Sequence, residues 1–195
     1  MPPAGFREPV PDERSPDSDP FSITVLLAWT PTLWRHTRTL LRPDGRRGAV
    51  WRGDAFALRS AIRLAQVWGA EVRAVSLGLF VSSHDYLEAA DLGVDTVRWI
   101  VGDPKAAHYD RAVALAAACE GSGVVFAGSR GPGHGSGAVP VYVAGVLHAA
   151  CATEVVSVAP GPPGVLLVER DLDDGRRESA EIVTPCVLAC VPPPE

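Results

Sequence analysis

The chain has 195 residues, 47% of them hydrophobic and 21% charged, with a net charge of −5. That length suits one domain with a substantial core. The acidic balance argues against a general nucleic-acid binder, and no apolar run reaches the roughly 18 residues that a membrane span needs, so no membrane insertion is expected.

Residues Met1 to Pro20 are rich in Pro, Asp, Glu and Ser. They cannot bury enough apolar surface to offset ordering, which predicts a disordered tail over residues 1–21. The same stretch has no apolar signal core, so export is not indicated and a cytoplasmic location is expected. A single domain follows over residues 22–191, with a short tail over 192–195.

Ser22 to Ala28 (SITVLLA) is short, apolar and β-branched, as a buried strand should be. Thr32 to Val50 is irregular, with a turn at Pro43, Asp44 and Gly45. Asp54 reads as the N-cap of a helix whose apolar positions Phe56, Ala57, Ala61, Leu64 and Ala65 recur at helical spacing up to Gly69. Glu71 to Leu77 is a second strand, ended by Gly78. Asp85 to Asp91 reads as a helix stopped by Gly93, Thr96 to Val101 as a third strand and Tyr109 to Glu120 as an alanine-rich helix. Val124 to Ala127 is a fourth strand, Val141 to Ala150 a helix and Glu154 to Ala159 a further strand. Alternating strands and helices predict an α/β fold, a mostly parallel open sheet with helices on both faces of Rossmann-like type. After Pro160 the pattern changes. Val165 to Arg170 and Ile182 to Val191, flanking the polar turn Asp171 to Glu178, predict a late antiparallel β-hairpin at the sheet's edge.

Chemistry-bearing residues are sparse. Cys119, Cys151, Cys186 and Cys190 form no C-x-x-C pair and read as small buried hydrophobes. His36, His84, His108, His134 and His148 show no metal-ligand spacing.

The informative stretch runs from Val124 to Ala144, VVFAGSRGPGHGSGAVPVYVA, with five glycines between Gly128 and Gly137. Strand, glycine-rich turn and helix is how an open parallel sheet offers backbone N–H groups and a positive helix end to a phosphate. Glycine permits the close backbone approach that a Cβ would block, and Ser136 stands where it can cap the helix. A flexible surface loop is the plainer alternative. The dinucleotide fingerprint G-x-G-x-x-G fails here, ending on Ser136 or Ala138. The P-loop fails too, because the only lysine is Lys105.

Taken together these segments resemble the beta subunit of electron transfer flavoproteins. ITVLLAW is similar to the family's first strand, and DAFALRSAIRLA to its first helix, where only Asp54 of an Asn-Pro-x-Asp signal remains behind Trp51, Arg52 and Gly53. VRAVSLG is similar to the second strand, EAADLGVDTV to a Met-Gly-Ala-Asp segment, and GSGAVPVYVAGVL to the loop and helix that hold the nucleotide's phosphate. LLVERDLDDGRRESAEIVTPCVL resembles the late hairpin, with Glu169, Arg170, Gly175 and Pro185 at matching places. The departures are Trp29, Gly135 and Ala138, which stand where the family has polar side chains. Longer relatives also carry a C-terminal arm that this chain, ending at Glu195, is expected to lack.

The resemblance implies a beta-type subunit that binds AMP, or FAD, at its own site, while an alpha-type partner holds the main FAD between the subunits. It implies an electron carrier with no catalytic residue of its own, taking electrons from flavin dehydrogenases toward a quinone-linked acceptor. Gly133, His134, Gly135, Ser136, Gly137, Ala138 and Val139 would hold the phosphate. Leu27, Ala28, Leu77 and Gly78 would wall the adenine, Asp54 would bind ribose or cap its helix, and Trp34 would lie near the flavin. On this reading Gly137→Val removes the nucleotide and leaves the fold intact. The alternatives are a stand-alone adenine-nucleotide sensor of universal-stress type and a nucleotide-free scaffold subunit. The first wants G-x-x-G, nine residues, then G-Ser/Thr, and from Gly128 and Gly131 that last glycine falls on Val141.

Overall fold

The computed structural model describes residues 22–28, 52–78, 93–103, 105–129 and 137–192. The helix expected at Asp85 to Asp91 lies outside them, as do Trp29, Trp34 and the tail over residues 1–21. Among the described residues the elements run β1 (Ser22–Leu26), α1 (Arg52–Trp68), β2 (Glu71–Gly78), β3 (Thr96–Val101), α2 (His108–Ala118), β4 (Ser122–Gly128), α3 (Ala138–Leu147), β5 (Ala150–Pro160), β6 (Val165–Asp171), β7 (Arg177–Val183) and β8 (Cys186–Cys190). The strands form one eight-stranded sheet in the order β3-β2-β1-β4-β8-β5-β6-β7. From β3 across to β5 every pairing is parallel, and β5-β6-β7 is an antiparallel meander at the edge. Among the described residues no helix is long and apolar enough to cross a membrane.

Period-2 alternation sorts the strand residues between two cores. Ile23, Val25, Leu27, Val72, Ala74, Val124, Phe126 and Leu188 point to one face, where α1 covers them with Ala55, Ala57, Leu58, Ala61, Leu64 and Ala65. Leu26, Val75, Val125, Ala127 and Val187 point to the other, under Ala112, Leu115 and Ala116 of α2 and Val143 and Ala144 of α3. Phe126, Ile23, Leu58 and Leu188 are fully buried, and each such side chain contributes roughly 1.5–3 kcal/mol relative to exposure. The alanines of α1 let it lie close to the sheet, which sets up the contact at Asp54 described below.

Several boundaries differ from the expectation, among them the start of β5 at Ala150, four residues before the expected Glu154 and at the residue expected to end the preceding helix. Ile182 to Val191 is not one strand. The chain turns at Thr184 and Pro185, and Cys186–Cys190 crosses back to run parallel between β4 and β5. All five of its residues are buried, the continuous apolar run of a central parallel strand. The edge hairpin is instead β6 with β7, whose charges Glu169–Arg177 and Arg170–Glu178 pair across it at 3.7 and 2.8 Å. The helix after the glycine loop starts at Ala138, three residues before the expected Val141. Pro140 fits its first turn, where a missing N–H costs nothing. His148, at φ 51°, ends it in the left-handed conformation.

The cysteine reading holds for three of four. Cys119, Cys186 and Cys190 are buried and Cys151 is exposed. Burial pushes the Cys119 and Cys186 thiols up to about 12.

Candidate functional site

The chain builds β1, β2 and β3 outward in one direction and then resumes on the other side of β1 with β4. The reversal leaves a crevice beyond the carboxyl ends of β1 and β4, the place where open α/β sheets bind ligands. Leu27 and Ala28 form one wall, Gly128 and Ser129 the other. Leu27 continues the ladder with its N–H on Val75 O at 2.9 Å, and its carbonyl accepts the buried Ser76 hydroxyl at 2.8 Å.

Asp54 lies across this crevice. The helix begins at Arg52, so Asp54 is in its first turn and not at its cap. Its Oδ2 accepts the Ala28 N–H at 2.8 Å and its Oδ1 accepts the Gly128 N–H at 3.0 Å. One carboxylate thereby ties the two strand ends at the point where they diverge. The residue is buried, and burial, only partly offset by those two N–H groups, pushes its carboxyl up to about 7. Gly128 makes the approach possible. A Cβ there would lie 3.0 Å from the Asp54 nitrogen and 3.1 Å from the Gly53 carbonyl carbon, and would overlap the Asp54 carboxylate.

Because Asp54 occupies the Ala28 and Gly128 donors, they are not open to a phosphate. The donors that remain beside the crevice are at the start of α3. Gly137 is its N-cap at φ 71°, with no side-chain cap, and the helix's first N–H groups belong to Ala138 and Val139, since Pro140 has none. Orphan N–H groups and the helix dipole together favour an anion there. Gly133, His134, Gly135 and Ser136 lie outside the described residues.

The structure separates the other wall residues. Leu27 is buried under α1, whereas Leu77 packs on the opposite face with the α2–α3 core. The two side chains cannot flank one ring. Gly78, at the end of the neighbouring β2, is buried, and a Cβ there would stand 3.3 Å from the Trp99 ring.

Gly137 is also tighter than the sequence suggested. A Cβ on it would overlap the carbonyl oxygen of Ser129, so the two ends of the glycine loop touch. The expectation that a side chain at Gly137 spares the fold is thus corrected. Gly137→Ala should cost about 2 kcal/mol in urea denaturation, from the left-handed φ and the carbonyl overlap. A cost under about 0.5 kcal/mol, the scale of an unconstrained surface position, would show that this contact does not hold the loop.

Two residues of the site escaped the sequence reading. Ser129 is buried, donates its N–H to Cys190 O at 2.7 Å and its hydroxyl to Glu154. Glu154 sits at φ 54° where β5 slips against β8. The one signal available was a serine directly after the apolar run of β4 and a glutamate, the sole charged residue, within β5.

A comparison with curated proteins gives no match. The model of the electron transfer flavoprotein domain, in contrast, matches residues 41–193, which takes in α1 through β8 and with them Asp54, Gly128, Gly137 and Glu154. With most of its length matched in this way, the chain belongs to the electron transfer flavoprotein family.

Proposed function

We propose that the chain is the beta-type subunit of a heterodimeric electron transfer flavoprotein and that it binds AMP or FAD at the crevice between β1 and β4. Family members are usually subunits of heterodimers associated with flavin and nucleotide. The observation that carries the reading is the switch-point crevice, with its strand ends tied by Asp54 and the start of α3, at its N-cap Gly137, beside it. In this reading Gly137, Ala138 and Val139 hold the phosphate through backbone N–H groups, together with Gly133 to Ser136. The backbone at Ala28 and Gly78 borders the adenine, and Asp54, buried with both oxygens on the Ala28 and Gly128 N–H groups, holds the two strand ends in place and does not itself meet the ligand. The flavin, when bound, supplies the electron transfer. The chain's residues position the nucleotide and keep its charge at the helix end. The beta-type assignment rests on six segments in register with that subunit, the late hairpin among them.

Co-expression with an alpha-type subunit should give a yellow heterodimer, and expression of the chain alone a colourless protein. Denaturing the purified heterodimer should release AMP or FAD. Release of ATP would favour a sensor, and release of no nucleotide a scaffold. A stable yellow monomer would contradict the shared-flavin arrangement.

A further inference from the structure

Glu154 is held in place from three directions. Ala152 pairs with Leu188 and Val155 with Cys190, so Thr153 and Glu154 together face Ala189 in a β-bulge. From β6, Arg170 donates to the Thr153 carbonyl at 2.9 Å and to its hydroxyl at 3.2 Å, while its remaining nitrogen pairs with Glu178 at 2.8 Å. The bulge sets Glu154 at φ 54°, a conformation that a non-glycine residue adopts only where its surroundings impose it. Its carboxylate accepts the Ser129 hydroxyl. That hydroxyl lies 3.8 Å from where a Cβ on Gly137 would stand. A negative charge is therefore fixed one hydroxyl away from the residue at which α3 begins.

A carboxylate at a helix N-terminus offsets the positive end of the helix. It leaves room for a ligand of low charge and penalises each further negative charge. We propose that Glu154 is a charge-discriminating residue of the nucleotide site, tethered by Ser129, which favours a nucleoside monophosphate or a dinucleotide over a nucleoside triphosphate. This rests on the reading of the α3 N-terminus as the phosphate site. It assigns a role to β5 that the glycine loop alone does not contain.

Equilibrium dialysis of the full protein with AMP and with ATP tests it. The native protein should prefer AMP. Glu154→Gln keeps the side-chain length and an oxygen acceptor for Ser129 while removing the charge. It should raise affinity for ATP roughly tenfold more than affinity for AMP, and the difference should narrow at high salt. Glu154→Gly removes the charge and relieves the positive φ, at the loss of the Ser129 hydroxyl's acceptor, and it should shift the same ratio. That second variant keeps the test open should the first fold poorly. AMP binding with an unchanged ratio of the two affinities in both variants overturns this proposal alone. Binding of neither nucleotide by the native protein overturns it together with the proposed site.

Discussion

Gly128→Ala should destabilise the protein by about 3 kcal/mol or more, the largest effect expected of a methyl group added at a described glycine. The added Cβ would meet the backbone of Gly53 and Asp54 as well as the Asp54 carboxylate. Backbone on both sides cannot rotate away as a flexible side chain would. Relief requires α1 to move off the end of β4, and that motion pulls Asp54 from the Ala28 and Gly128 N–H groups. The control is Gly145→Ala in α3, where nothing lies within 4 Å of the added carbon. In the last turn of the helix that change should be neutral or stabilising by up to about 1 kcal/mol. Urea denaturation of the two variants should separate them by several kcal/mol. Similar stabilities would show that the close approach of α1 to β4 is not what Gly128 provides.

Stability should fall with rising pH across a window set by Asp54. In the unfolded chain the carboxyl ionises near 3.8, and burial raises it to about 7 in the folded protein. Between those values the folded state holds one proton more than the unfolded state, so each added pH unit costs about 1.4 kcal/mol, or about 4 kcal/mol over the window. The contribution is complete below about 3.8 and is lost as pH rises through about 7. Asp54→Asn does not titrate and should lack this slope. It can accept only one of the two N–H groups, so it should be less stable than the native protein at acid pH by about 1–3 kcal/mol. Toward pH 8 the deficit should shrink or reverse. Taking the difference between the two proteins at each pH cancels the other titrating groups. Parallel pH profiles would show that Asp54 is not the buried acid that the geometry makes it.

The sheet was legible because its strands carry local signatures. Thr96–Val101 is a strand with the expected bounds, and Gly69, at φ 62°, ends α1 at the expected glycine. The route of β8 was not legible in the same way. Ile182 to Val191 is apolar almost throughout, and the break at Thr184 and Pro185 reads as a turn only when the five following buried residues are recognised as a central strand. Within the site, the sequence singled out Asp54, Ala28 and Gly137 from a motif order, but it gave Asp54 a cap's role. The two N–H groups that Asp54 ties come from strands 26 and 74 residues away in sequence, a pairing that no local pattern encodes. Glu154 was invisible for a related reason. Its conformation is imposed by the bulge and by Arg170, not by its own preference, which disfavours positive φ.

The central claim, a nucleotide held at the start of α3 beside the β1–β4 crevice, is tested most directly by following backbone amide resonances of the ¹⁵N-labelled protein during titration with AMP. The account predicts saturable shifts that are largest at Gly137, Ala138 and Val139, with smaller ones at Ala28 and Gly78 and none along β6 and β7. Shifts confined to the β6–β7 edge, or a spectrum unchanged at millimolar AMP, would contradict it.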